Sequence, residues 1–489
     1  MNNKIDVPSK LNEIAGLSDS AWIKDIHQLI FNVHANEKDK LLTSVDSLEI
    51  MRSLSDCMDL VVIEIYKRII SPNVNGIAVV AVGGYGRQEM SFYSDVDLMF
   101  LIGKLDNPTS NYISEILHVL WDFHLDIGYS SRTISEAMKL AKGDIESCTA
   151  MMDGRFLVGD GDLFSDLYGK LYLNVPNSLP EKLNSWRLRR IENNASVQLL
   201  EPNVKESPGA LRDIQSLHWA IKSKINSSSN LGDWADFLEE DDIGKIEICW
   251  RFFSSIRLHL HANFGRKRDV LDADAKVQVS TGLGYKDSGN ELGVELFMRD
   301  YYQNARSVFQ IANLTFERLL RKRRISAKTM YLEQGLMSID SEIVIKDGKE
   351  YFSQNPLRML RIFLLLQRKN LILGEMAKRE IQLSLELINS DFRSSGEARD
   401  VFFKILSGKT RVALTLRLMH ELGVLDAYLP EFGGLNCLVQ FNPYHIYTVD
   451  EHTLVAIRNL ESLSQGRRRE KLSSVFEAFG PKAILFFSV

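Results

Sequence analysis

The chain has 489 residues, 45% of them hydrophobic, and a formal charge of −5 from 59 basic and 64 acidic side chains. That length exceeds one hydrophobic core and implies roughly two to four domains, while the near balance of charge excludes a general attraction for nucleic acid or an anionic membrane. Cys57, Cys148, Cys249 and Cys437 form no CxxC pair and no metal-ligand spacing with a histidine, so they read as inert thiols of a reduced protein.

The opening MNNKIDVPSK lacks the basic start and apolar core of a signal peptide, no apolar run approaches the roughly 18 residues of a membrane span, and a cytoplasmic protein is expected. From Trp22 to Ile70 apolar residues recur three and four apart, as in LIFNVH and LVVIEIYKRI, which predicts helices ending before Ser71-Pro72-Asn73. Residues 1–70 form a helical arm on this reading. Val79–Val82 and Val96–Ile102 read as buried strands around a glycine-led turn, Ile113–His124 as an amphipathic helix, and LDIGY, Leu125–Tyr129, as a third strand. This sets a small α/β unit at 71–180.

From 181 to 330 the pattern is helical, as in LRDIQSLHWAIKSKI and KIEICWRFFSSIRLHLHANF, with basic clusters at 187–190, 266–268 and 321–324. Those clusters read first as solvated helix ends, where cations favour the dipole, with phosphate contact as the alternative. In the connecting region 331–435, SEIVIKDGKEYF predicts a hairpin turning at Asp347-Gly348, and helices resume from Pro356. A last helical region covers 436–489. The fold class is α+β: a small mixed-sheet domain followed by a largely α-helical one.

Chemistry concentrates in VVAVGGYGRQEMSFYSDVDLMFLI, Val79–Ile102. A carboxylate on a strand that otherwise reads as buried is costly unless it is paired or bound to a cation. Strand alternation sends Asp95 and Asp97 to the same face, and hard oxygen ligands of this kind suit Mg²⁺ with substrate phosphates. Gly83 and Gly84 let the backbone approach a ligand and offer free N–H groups to a polyphosphate. No GxGxxG opens a long helix and no GxxxxGK[ST] occurs here, which excludes the common dinucleotide and P-loop fingerprints. A surface turn with helix-capping aspartates is the plainer reading, disfavoured by the apolar flanks of both aspartates.

Gly83, Gly84, Asp95 and Asp97 match the hG[GS] and hDhDh pattern of the DNA polymerase β-like nucleotidyltransferase superfamily. The fuller string GGYGRQEMSFYSDVDL resembles the bifunctional PII uridylyltransferase/uridylyl-removing family of bacterial nitrogen control. Further strings agree: LWDFHLDIGYSSRT, LEPNVKESPGALRDIQSLHW, VELFMRDYYQNA, and LVQFNPYHIYTVDEHTL. The resemblance runs from about residue 60 to the end. It implies UTP as nucleotide, Mg²⁺ held by Asp95 and Asp97, a tyrosine hydroxyl of the PII signalling protein as acceptor, and pyrophosphate as leaving group. Gly83 and Gly84 would seat the β- and γ-phosphates, with Arg87 either adding a contact or tied up in a salt bridge.

The superfamily's third carboxylate falls to Asp126, in its apolar-acid-apolar setting, or to Asp153, which otherwise partners Arg155. Glu201, Lys205, Arg212 and Asp213 either line the cleft or cap a helix start after Pro208-Gly209. The family continues into a metal-dependent HD phosphohydrolase domain and glutamine-sensing ACT domains. His452 resembles the first metal-binding histidine of the HD domain, no His-Asp doublet follows it, and 436–489 is therefore expected to be an incomplete HD domain in which His445 and His452 are orphaned. Uridylyl removal is expected to be lost. Adenylyl transfer to another protein, or PII binding without modification, remain the alternatives.

Overall fold

The computed structural model describes residues 5–14, 16–43, 46–72, 74–194, 199–225, 231–289, 291–320, 329–346, 349–408, 410–435 and 448–464. They form an α+β protein, mostly helical, with two small mixed sheets. The chain separates into two compact units: residues 1–197, 201–297 and 304–320 make the first, and 198–200, 298–303 and 321–489 the second. Among the described residues no helix is long and apolar enough to cross a membrane.

The first unit opens with three helices, α1 Val7–Ile14, α2 Asp19–Leu42 and α3 Ser47–Ile69, the last capped by Asp46. A four-stranded sheet follows, made of β1 Ile77–Ala81, β2 Val96–Ile102, β3 Ile127–Thr133 and β4 Arg155–Gly159 in the order β3-β2-β1-β4. β1 is antiparallel to β2 and β4, whereas β2 and β3 are parallel. β1 reads IAVVA and is buried throughout, as a central strand covered on both faces must be. Trp22, Ile26 and Ile65 of the helical arm share one core with Val79 and Phe100 of the sheet.

One helical turn, α4 Gly83–Gly86, joins β1 to the β2 approach, and α5 Asn107–Asp122 crosses from β2 to β3. Then come α6 Ile134–Gly143, started by a capping box between Thr133 and Glu136, α7 Ile145–Met152 and α8 Gly161–Leu173. β4, which the sequence reading left out, lies between α7 and α8. The helical layer comprises α9 Leu179–Asn194, α10 Leu211–Ile225, α11 Glu240–Phe264, α12 Ala273–Gly282 and α13 Gly293–Leu320. Cys57, Cys148 and Cys249 are buried free thiols, and burial pushes Cys57 and Cys249 up to about 12 and Cys148 up to about 11. Cys437 lies outside the described residues.

The second unit has its own core, built on Tyr351, Phe352, Met359, Phe363 and Leu416 among others. Its sheet runs Thr329–Glu333, Leu336–Ile339, Glu342–Ile345, Ile372–Leu373, and the last pairing is parallel. The predicted hairpin at Asp347-Gly348 does not form from SEIVI and KEYF. Glu342–Ile345 is a strand, but KEYF begins the helix Lys349–Gln354, and the tight turn sits instead at Asp340 and Ser341, with φ of 51° and 73°. Neighbours Tyr351 and Phe352 are both fully buried, which a half-covered strand could not achieve with its alternating faces. Asp347-Gly348 falls outside the described residues.

In the helix Val449–Ser464, His452 is exposed. The imidazole of His420 lies between Asp426 at 2.5 Å and Asp450 at 3.1 Å. His445 lies outside the described residues, as does most of 436–489. Among the described residues no group of three His, Cys, Asp or Glu side chains is placed to hold a metal ion.

Candidate active site

Asp95 and Asp97 flank buried Val96 and precede buried Leu98, so both carboxylates leave the core on one face of β2. They line a cleft of about 280 Å³ with Gly83 and Gly84. The Val82 N–H donates to the Asp97 carbonyl at 3.0 Å, continuing the β1–β2 pairing to the edge of α4 and setting the glycine turn against the aspartate. Gly83 has φ +58°, and a Cβ there would stand 3.3 Å from Asp97 Oδ2. Gly128, the β3 register partner of Asp97, is tighter: a Cβ would stand 2.3 Å from Oδ1. The carboxylate is thus slotted between two glycines. Gly128 was passed over in LDIGY, although a glycine inside a strand pattern is itself a sign of close approach.

Burial raises the Asp97 carboxyl above its ordinary range, and the charge of Asp95 adds to this, opposed by Lys267, Lys205 and Arg87. Asp95 is ion-paired with Lys267. That lysine belongs to the 266–268 cluster, read from sequence as a helix end. Gly265, with φ +62°, does end α11, and Arg268 turns to the Phe264 ring and Asp272, but Lys267 reaches the cleft.

Arg87 also lines the cleft, and it is salt-bridged: its Nε donates to Glu89 at 2.8 Å and its Nη1 to Asp153 at 2.5 Å. Its Nη2 lies 3.9 Å from where a Cβ on Gly84 would be. Asp153 is buried and accepts from Trp219 Nε1 at 2.8 Å as well. Burial alone would raise its carboxyl, but the charge of Arg87 and the nearby His218, 3.6 Å away, outweigh that and hold it at about 2. The partner of Asp153 is therefore Arg87, and Arg155, its sequence neighbour, pairs with Asp59 instead. Asp126 is exposed and is not among the residues lining the cleft. It stands two residues before Gly128 and, by alternation, on the same face; its carbonyl accepts from Val96 N–H at 2.8 Å.

Facing the carboxylates is a basic wall from the helical layer. In EPNVKESPGALRD the Asn203 side chain accepts from the N–H groups of Lys205 and Glu206, at 2.9 and 2.8 Å, and folds the segment into a turn ahead of α10. Lys205 and Arg212 line the cleft. Arg212 is held by Glu206 and Gln215, between the Trp186 and Trp219 rings. Asp213 and Glu201 are not there. Asp213 is buried, accepting from Gly209 N–H at 2.9 Å and from Arg190 at 2.7 Å, and Glu201 is exposed. The same turn is stitched to the segment after α11: Val204 N–H donates to the Asp269 carbonyl at 2.8 Å, and Leu271 N–H to that of Pro202 at 2.9 Å.

Arg257, on α11, completes the wall, its Nε donating to Asp269 at 2.8 Å. Burial works against ionised Asp269, yet the His261 contact and the charge of Arg257 hold its carboxyl well below the usual range. Arg257, Trp186 and Trp219 were not singled out from sequence, because each reaches the cleft from a helix whose pattern reports only its apolar face, whereas Lys267 reaches it from the loop after α11.

Two family profiles match the chain: GlnD PII-uridylyltransferase over residues 177–316, and Uridylyltransferase GlnD third domain over 338–428. A bifunctional uridylyltransferase/uridylyl-removing enzyme of Ruegeria pomeroyi is 33% identical over 84% of this chain and 47% of its own length. One of the same name from Cereibacter sphaeroides is 35% identical over 81% of this chain and 44% of its own, and one from Nitrosococcus oceani 28% over 93% and 52%. The chain thus spans about half the length of the curated relatives it matches.

Proposed function

The chain belongs to the PII-uridylyltransferase family, and on that premise we propose that its first unit transfers UMP from UTP to a tyrosine hydroxyl of the PII signalling protein, releasing pyrophosphate. The observation that carries this reading is one cleft with paired carboxylates and a glycine turn on one side and a cationic wall on the other.

Asp95 and Asp97 fit Mg²⁺: both are oxygen donors, on one face, and Gly83 and Gly128 admit the Asp97 carboxylate where a side chain would otherwise stand. When bound there, the ion offsets the charge of the triphosphate. Gly83 and Gly84, in the first turn of α4 where backbone N–H groups have no intrahelical acceptor, meet the β- and γ-phosphates. Arg87 adds its Nη2 beside them, held in orientation by Glu89 and Asp153. Arg212 and Arg257, each clamped by its own carboxylate, meet the triphosphate as fixed charges that need no rearrangement during reaction. The acceptor oxygen forms its bond to the α-phosphorus as the bond to the pyrophosphate oxygen breaks, in line. Asp126, at the β3 end on the Gly128 face, takes the hydroxyl proton. The removing activity in the relatives' name is assigned to none of these residues.

Incubation of the chain with PII, Mg²⁺ and UTP labelled at the α-phosphorus tests the proposal. Label should pass to PII from UTP and not from ATP. Transfer from ATP alone would replace the reading by adenylyl transfer, and PII binding without transfer from either would overturn catalysis.

A further inference from the structure

The cations of the cleft are not equivalent. Arg87 answers Glu89 and Asp153, Arg212 answers Glu206, Arg257 answers Asp269, and Lys267 answers Asp95. Lys205 has no ion-pair partner among the described residues, although it stands in the same wall, half-buried, on a turn fixed by Asn203. Burial pushes its ammonium down to about 8, Arg257 and Arg212 push the same way, and Asp269 and Glu206 oppose them. Across the cleft Asp97 feels its charge, along with that of Lys267. A partly desolvated ammonium next to two guanidinium groups is unfavourable unless a ligand supplies the counter-charge.

We infer that Lys205 is the seat of the terminal phosphate of the nucleoside triphosphate, at the end of the ligand that leaves as pyrophosphate. The inference rests on the nucleotidyl-transfer reading and adds which part of the nucleotide the helical layer holds. Of the three phosphates the terminal one carries the highest charge, and the place where three cations converge with one carboxylate too few is where that charge is best accommodated. The α-phosphate, which must lie at the Asp95 and Asp97 end of the cleft for transfer, carries less charge. Bound phosphate restores a counter-ion to Lys205, so its proton affinity rises on binding. Above the value of the free lysine the complex therefore takes up a proton, and affinity falls as pH rises.

Titration calorimetry on the full chain, with Mg²⁺ and with UTP, UMP or inorganic pyrophosphate, tests this at about pH 8.5 in two buffers of different ionisation enthalpy. Lys205→Met should weaken UTP and pyrophosphate by ~10- to 100-fold, the range of one charged hydrogen bond, and leave UMP unchanged. Lys205→Arg should keep most of the affinity. Proton uptake should accompany UTP binding in the parent chain and be absent in both variants, since arginine stays protonated. Equal UTP affinity in Lys205→Met, or a matching loss for UMP, would overturn the inference. A parent chain that binds pyrophosphate through Lys205 and does not bind UTP would leave the phosphate seat standing and overturn the uridylyl reading.

Discussion

Gly128 lies in register with Asp97 on the neighbouring parallel strand, and a methyl group placed on it would come within 2.3 Å of the aspartate's Oδ1. Gly128→Ala should therefore push the carboxylate out of its slot while β3 keeps its pairing. We expect transfer to fall by ~100-fold or more, consistent with misplacing a reacting group by about 1 Å, with circular dichroism unchanged. Turnover within threefold of the parent would show that the carboxylate's present position is not the working one.

Asp97→Asn removes one charge and little volume. Loss of several kcal/mol of charge stabilisation corresponds to roughly a thousandfold or more in rate. The sign for stability is opposite. Burial and Asp95 raise the Asp97 carboxyl in the fold, so the ionised form is penalised at neutral pH, and the penalty disappears as pH falls and the group protonates. The asparagine variant should melt higher than the parent at neutral pH without ligand, and the difference should shrink in acid. A variant that melts lower at neutral pH would contradict that electrostatic account.

Asp153 and Asp126 should separate cleanly. Asp153→Asn leaves Arg87 buried with a weakened partner, and breaking a buried pair costs on the order of 3 kcal/mol. Because Asp153 is held at about 2, its contribution is present above the ordinary carboxyl value near 4 and is lost as pH falls from about 4 to about 2. Asp126→Asn, exposed, should change stability by less than about 0.5 kcal/mol while lowering turnover. Chemical denaturation and transfer assays on the two proteins check the ranking. Full turnover in Asp126→Asn would remove it as the base.

On the proposed reading, Lys267, which is ion-paired with Asp95, competes with a divalent ion for that carboxylate. In Lys267→Met the carboxylate is released, so Mg²⁺ alone should bind tighter, by up to about fivefold, the upper end for a half-exposed pair. Calorimetry in the absence of nucleotide measures it. Unchanged or weaker binding would mean that the ammonium does not hold the metal's place.

The local parts of this site were legible in the sequence. Alternation along one strand was enough to bring Asp95 and Asp97 together, and a glycine pair after an apolar run was enough to mark the turn. What escaped was pairwise and distant. Lys267 and Asp95 are 172 residues apart and Arg87 and Asp153 are 66 apart, and a lysine in a basic cluster carries no mark of the carboxylate it will meet. Asp153 was set beside Arg155 by proximity in the chain, whereas the residues opposite it in space are Arg87 and Trp219. β4 was missed because RFLVG is five residues long and too short for periodicity to register, and KEYF was read as a strand because adjacent aromatics satisfy strand composition without strand alternation.

The two backbone bonds that tie Val204 to Asp269 and Leu271 to Pro202 bind the loop bearing Lys205 to the loop bearing Lys267. Neither loop can shift alone without leaving a donor and an acceptor unsatisfied. Two charges from distant stretches of sequence are thereby yoked to one piece of backbone, and a length change in either loop displaces both. Insertions that a solitary surface loop would tolerate are closed to these two, and the spacing from Pro202 to Lys205 and from Lys267 to Leu271 has to be inherited or altered as a pair.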